Sequence, residues 1–400
     1  MRVAIPVFGG KGWTGGTQYL INLLSAIRYL PANRLEPVLF SGLGDENEIS
    51  GEMSTYLSIA SVQSGLWNRG SFAFRKRIIN SIIFQRDTAA EKTFQKAGVD
   101  VVFQLNAWYG FRFGLPTLVW LPDFQHRNLP QMFGKIRSWK RDLLFRALIK
   151  SATRILVSSE DARHDCEEFY PSSKGKIAVL PFVVRIDSHA LGENPDAVRR
   201  KYNLPKKYFF LPNQFWKHKN HLGIIEALRI LKKRGEDKIT VGVSGNPRDH
   251  RNPDHPGLVV LSAERYGLSE QFRILGMIPR ADILPLMRAS VAVINPSFFE
   301  GWSTTVEEAK SLGIPMLLSD LRVHREQSPD VCSYFDPHDP FEIADALKLA
   351  WCEWEPGPRF DLEDTALKKT ALRREQFARL FCEIVEETAN GFMKKCSGSS

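Results

Sequence analysis

The stretch Asn295-Pro296-Ser297-Phe298-Phe299-Glu300-Gly301-Trp302-Ser303-Thr304-Thr305-Val306-Glu307-Glu308-Ala309 follows the apolar run Val291-Ala292-Val293-Ile294 and precedes Ser311-Leu312-Gly313-Ile314-Pro315. The apolar run predicts a strand buried on both faces. Residues 305–312 predict a helix, stopped by Gly313 and Pro315. Thr304 and Glu307 have capping-box spacing, which predicts Thr304 as N-cap and Glu307 as its reciprocal partner. A strand that turns directly into a helix is half of a βαβ unit, and open parallel sheets bind ligands beyond the carboxyl ends of their strands. Glu300 on the loop and Glu308 in the first helical turns therefore border one crevice. Ser303, Thr304 and Thr305 offer hydroxyls and amides at a positive helix end, an arrangement suited to a diphosphate.

The same rhythm runs through the chain. Residues 3–8, 38–41, 101–105, 117–121 and 155–158 predict one set of buried strands, and residues 208–211, 239–244, 272–275, 291–295 and 315–319 a second, with amphipathic stretches between. This is the pattern of a parallel α/β sheet formed twice, and 400 residues exceed what one core usually supports. Residues 181–205 are polar and turn-rich, as expected of a linker. The expected division is an N-terminal domain over 1–185, which a C-terminal helix at about 376–392 could complete, and a second domain over 206–375. The fold class is α/β, with two Rossmann-like, doubly wound parallel-sheet domains.

The E-x7-E spacing of Glu300 and Glu308, the flanking Asn295-Pro296-Ser297 and Ser311-Leu312-Gly313-Ile314-Pro315, and the later Phe335-Asp336-Pro337-His338-Asp339-Pro340 together resemble the family-4 retaining glycosyltransferases, the glycosyl transferases group 1 of the GT-B fold. The resemblance implies two domains facing a central cleft, with the nucleotide sugar held by the C-terminal one. It implies transfer of a hexose-type sugar from a nucleoside diphosphate (GDP or UDP) to a hydroxyl acceptor with retention of the anomeric centre. In that family the first Glu touches the donor sugar's hydroxyls, the second holds the ribose diol, and the intervening amides hold the diphosphate. These roles fall on Glu300, Glu308 and Ser303, Thr304 and Thr305.

Further positions follow from the same resemblance. The loop Pro212-Asn213-Gln214-Phe215-Trp216-Lys217-His218-Lys219 opens the second domain, where the family has Arg, four residues, then Lys. Lys219 matches the Lys, whereas Gln214 stands at the Arg position, so Asn213 and Lys217 join Lys219 as donor-binding candidates. Gly245 corresponds to the family's loop near the base. In Trp120-Leu121-Pro122-Asp123-Phe124-Gln125-His126, Pro122 stands where many relatives have a catalytic His. Asp123 survives, and His126 could supply the imidazole one turn later.

Near the N-terminus, Gly9-Gly10-Lys11-Gly12-Trp13-Thr14-Gly15-Gly16 follows the first strand and precedes a helix expected from about Thr17 to Leu30. Gly15 and Gly16 match the family's glycine pair, where the backbone approaches the donor diphosphate. Read literally, Gly10-x-Gly12-x-x-Gly15 is also a dinucleotide fingerprint. The strand ending Ser41-Gly42 carries no acid for a ribose, so an NAD(P)-dependent oxidoreductase is the second reading. A sugar-nucleotide epimerase on the same fold is a third.

A net charge of +9 predicts attraction to anionic partners. No helix-turn-helix, zinc-finger or RNA-binding signature accompanies it, so nucleic acid is not expected. Residues 135–154 form a basic amphipathic segment, and residues 69–86 have similar character, so an anionic membrane surface and a lipid-linked oligosaccharide acceptor are expected partners. The five cysteines, Cys166, Cys332, Cys352, Cys382 and Cys396, never form C-x-x-C. That pattern, with no apolar run long enough to span a bilayer, predicts a cytoplasmic protein; the basic segments suggest a peripheral place on the inner face of the cytoplasmic membrane, and the family resemblance implies a part in bacterial polysaccharide or glycolipid assembly. No D-x-D follows a strand and no ligand cluster has metal spacing, so metal-independent transfer without a cofactor is expected.

Overall fold

The computed structural model of the chain describes residues 1–7, 14–28, 30, 34–43, 59–105 and 107–397. Gly10 and Gly12, on which the oxidoreductase reading depends, lie outside these. The chain divides into two compact units. One comprises Met1–Arg127, Lys135–Arg185 and Arg373–Ser400, and the other Asn128–Gly134 and Ile186–Leu372.

In the first unit, β1 (Arg2–Pro6), β2 (Glu36–Ser41), β3 (Ala60–Gln63), β4 (Val101–Gln104), β5 (Thr117–Trp120), β6 (Arg154–Val157) and β7 (Ile177–Val179) form one sheet in the order β3-β2-β1-β4-β5-β6-β7. Every pairing is parallel. Helices α1 (Thr14–Ile27), α2 (Phe72–Ile83), α3 (Thr88–Lys96), α4 (Gln125–Asn128), α5 (Lys135–Ser151) and α6 (Glu160–Phe169) connect and cover it. Tyr19 of α1 stacks on Trp120 of β5 at 4.0 Å, which seats α1 on the sheet through aromatic contact. Helix α1 starts at Thr14 rather than Thr17, so Gly15 and Gly16 lie in its first turn, where the amides have no intrahelical acceptor. A Cβ at Gly15 would meet nothing within 4 Å.

In the second unit, β8 (Phe209–Leu211), β9 (Val241–Ser244), β10 (Phe272–Gly276), β11 (Val293–Asn295), β12 (Met316–Ser319) and β13 (Cys332–Phe335) form a parallel sheet in the order β10-β9-β8-β11-β12-β13. Its helices are α7 (Ser188–Gly192), α8 (Pro195–Lys201), α9 (His221–Lys233), α10 (His255–Arg265), α11 (Arg280–Ala289), α12 (Thr304–Ser311), α13 (Arg322–Gln327) and α14 (Pro340–Glu353). Helix α15 (Phe360–Ser397) starts in this unit, and from Arg373 it belongs to the first, where Phe381 meets Phe103 edge-on at 5.4 Å. Period-2 alternation splits the strand side chains between two cores: Phe209 and Leu211 join one, Tyr208 and Phe210 the other. That is why the strands read as unbroken apolar runs. The segment expected as a linker is ordered from Ile186 onward, because Ala190, Val198 and Leu204 fill the second of these cores.

Each sheet places its first strand between its second and fourth, the Rossmann order, so the direction of winding reverses between β1 and β4 and again between β8 and β11. The loops that leave β8 and β11 therefore begin side by side.

Candidate functional site

The β8–α9 loop ends in a 3-10 turn, Lys217–Lys219, whose C-cap Asn220 adopts a left-handed conformation and whose side chain then caps α9. Asparagine tolerates that conformation, and it turns Lys219 toward the loop after β11. There Lys219 Nζ donates to Glu300 Oε1 at 2.6 Å, with side chains only 13% and 10% exposed. Ser297 Oγ donates to the same oxygen at 2.7 Å. Burial opposes ionisation of Glu300, but the Lys219 ammonium and the nearby His324 outweigh it and hold the carboxyl below its ordinary value. The result is an ionised, acceptor-only carboxylate with one oxygen already occupied, at the switch point of the sheet.

The helix behind it is anchored differently from the capping box expected from sequence. Ser303, not Thr304, is the N-cap of α12, and its Oγ accepts from Val306 N at 3.4 Å and from Asn295 Nδ2 at 2.7 Å. Glu307 is then one position too far along to close the box. It is fully buried, and Gln327 Nε2 donates to it at 3.3 Å. Gln327 also donates to Ser303 O at 3.0 Å and accepts from Ser303 N at 3.3 Å. Thr305 Oγ1 donates to Asn213 Oδ1 at 3.3 Å, and Asn213 Nδ2 donates to Asn295 Oδ1 at 3.2 Å. Asn213 thus ties the β8 loop to β11 and to the α12 N-terminus. Glu308 is buried and paired with Arg280 at the start of α11.

Gln214 accepts from Asn246 N at 3.0 Å, so the residue standing at the family's Arg position braces the loop after β9. A Cβ on Gly245 would lie 2.3 Å from Asn213 O, and only glycine fits there. Lys217 is exposed, and its backbone N donates to Asp249 at 3.1 Å. Behind the loop, His221 is fully buried and stacked on Phe215 at 4.6 Å, and burial pushes its pKa down to about 3.

In the first unit, Asp123 Oδ1 accepts from Gln125 N at 3.0 Å and from Arg141 Nη2 at 2.8 Å, and its side chain stays partly exposed. His126 is buried, with Nε2 3.2 Å from Tyr170 Oη and its ring edge-on to Phe145 at 5.1 Å. Burial and the neighbouring Arg141 push its pKa down to about 4. It is a neutral ring facing the core, where sequence suggested an imidazole offered to a substrate. The reason is α5, whose Phe145 closes over it.

The second unit thus brings together Asn213, Lys219, Glu300, Ser303 and Thr305, with Glu308 deeper on the same helix. Sequence reading overlooked Gln327, Ser297 as a donor to Glu300, and Arg280. Ser297 was legible through its place three residues before Glu300, whereas Gln327 and Arg280 arrive from distant helices. Among the described residues, no group of three or more His, Cys, Asp or Glu could hold a metal ion, and no helix is long and apolar enough to cross a membrane.

The family described as "Glycosyl transferases group 1" matches residues 195–359. The chain is 26% identical over 229 residues to a D-inositol 3-phosphate glycosyltransferase of Kribbella flavida, covering 55% of this chain and 53% of that one. It is 29% identical over 121 residues to the O-antigen chain mannosyltransferase B of Escherichia coli, covering 30% of each. The matches therefore span about half or less of these relatives' lengths. The structure of Anabaena Alr3699/HepE in complex with UDP and glucose superposes with a TM-score of 0.62 at 15% identity, over 100% of both chains, a likeness that carries the GT-B fold. The family match over residues 195–359 and the motif at 295–340 fall on the same unit, so it is the second unit that carries the likeness to the glycosyl transferases group 1.

Proposed function

We propose that the chain is a retaining, metal-independent glycosyltransferase that moves a hexose-type sugar from GDP or UDP to a hydroxyl acceptor. The observation that carries this reading is the Lys219–Glu300 pair at 2.6 Å beside the N-terminus of α12. A departing nucleoside diphosphate develops negative charge, and fixed positive groups that need no reorganisation stabilise it most effectively. Lys219 and the first-turn amides of α12 are such groups. Glu300, kept ionised, accepts hydrogen bonds from donor-sugar hydroxyls through its second oxygen. Glu308 takes the ribose diol once Arg280 turns aside, and Asn213 with Thr305 fixes the distance between sugar and phosphate subsites. In the first unit, Asp123 and the backbone at Gly15 and Gly16 are the residues that the family resemblance marks as candidates.

One relative's name, an O-antigen chain mannosyltransferase, supports a hydroxyl acceptor in surface-polysaccharide assembly, and a lipid-linked oligosaccharide acceptor would place the reaction at the inner face of the cytoplasmic membrane. The test is a thermal-shift panel of nucleoside diphosphates and their sugars, followed by product analysis by NMR. Stabilisation by one diphosphate and a product retaining the donor's anomeric configuration support the reading. An inverted product overturns retention, and epimerised sugar released without acceptor places the chain among epimerases.

A further inference from the structure

Helix α2 is built inside out. Its buried positions are Arg77 and Ser81, and Arg77 pairs with Asp87 at 3.0 Å with both side chains 1% exposed. Its outer positions carry Phe72, Ile79, Ile82 and Ile83, which with the following Phe84 are 52–82% exposed. Residues 72, 76, 79 and 83 recur at helical spacing and form one stripe, and Arg75 and Lys76, both exposed, lie along it. A soluble surface seldom presents so many large apolar side chains on one short helix, and such a face marks a binding site.

The patch continues beyond the helix. Arg112 N donates to Gln85 O at 2.7 Å, which brings the exposed Phe111 beside the end of α2, and Lys150 of α5 sits 5.2 Å over the Phe111 ring. Apolar side chains edged by cations match the acyl and headgroup layers of an anionic bilayer. A second copy of the chain fits less well, because a two-fold contact centred on the stripe would bring the Arg75 and Lys76 charges of both copies close together at its middle.

We propose that the outer face of α2, extended through Phe84 and Phe111, docks on an anionic lipid surface, with the apolar stripe entering the interface and Arg75 and Lys76 at the headgroups. This adds a surface to the lipid-linked reading of the acceptor, and it can fail while donor chemistry stands, because vesicle binding needs no nucleotide.

The experiment is co-sedimentation of the full chain with phosphatidylcholine vesicles, with and without phosphatidylglycerol, for the wild type, Phe72→Ser/Ile83→Ser and Arg75→Glu/Lys76→Glu. Binding is expected only with phosphatidylglycerol. Loss of the apolar pair should weaken it about tenfold or more, and each basic residue removed about fivefold, with unchanged melting temperatures because every changed side chain is exposed. Three results overturn the proposal: no binding to anionic vesicles, binding that both double variants retain, or a dimer that the apolar variant dissolves while vesicle binding is unchanged.

Discussion

Replacing Lys219 with Met tests the site without depending on any substrate. At 2.6 Å, two unit charges in an effective dielectric of about 20 attract by about 6 kcal/mol. Desolvating two nearly enclosed charges takes back about half of that, so removing one partner costs about 3 kcal/mol. For a unit of this size that lowers the melting temperature by about 6–12 °C at pH 7. The pH dependence has a definite sign. In the wild type Glu300 is held below its ordinary pKa, so its contribution is present above the unfolded value and fades as acid protonates it. In Lys219→Met burial acts alone, the carboxyl titrates higher, and protonation relieves the strain. The gap in melting temperature between wild type and variant should therefore narrow from pH 8 to pH 5. Scanning calorimetry of wild type, Lys219→Met, Glu300→Gln and the double variant measures both effects, with an expected coupling of about 2–3 kcal/mol. A gap independent of pH, together with additive single effects, would refute the reasoning.

Gly245→Ala should destabilise by about 2 kcal/mol or more in urea titration, because its Cβ would fall 2.3 Å from Asn213 O; a neutral result would mean that the loop yields freely. Gln327→Ala leaves the backbone of the buried N-cap Ser303 without its side-chain partners, and a loss of about 2–3 kcal/mol is expected by the same titration. His126 and His221, with pKa values of about 4 and about 3, stay neutral when folded and charge when unfolded. Each should cost about 2 kcal/mol of stability on going from pH 7 to pH 5. Urea midpoints at the two pH values read this loss, and His126→Phe and His221→Phe should each flatten it.

Buried strands were legible because doubly covered sheets turn strands into apolar runs, as in Val291-Ala292-Val293-Ile294. The strands β3, β7 and β13 were not. All lie toward or at sheet edges; β3 in particular is largely exposed, so Ala60-Ser61-Val62-Gln63 shows no run to read. Glu300 and the start of α12 were legible from their place after an apolar strand, and Lys219 through the family resemblance; all sit on the loops of adjacent strands. The shift of the N-cap from Thr304 to Ser303 could not be read, because Gln327, which fixes Ser303, is set by tertiary packing. Gln214 was visible as a departure from the family pattern, but its bond to Asn246 N was not. His126 illustrates the converse: a loop histidine in sequence becomes a core ring once Phe145 and Tyr170 fold around it.

The central claim is that Glu300, paired with Lys219, serves the sugar of a nucleoside-diphosphate donor. The most direct measurement is nucleoside-diphosphate release from a panel of UDP- and GDP-sugars by the wild type and Glu300→Gln. Turnover of one donor, reduced about a hundredfold or more by Glu300→Gln, is the expected result. A chain that releases diphosphate from no donor in the panel, or a Glu300→Gln variant as fast as the wild type, would contradict the account.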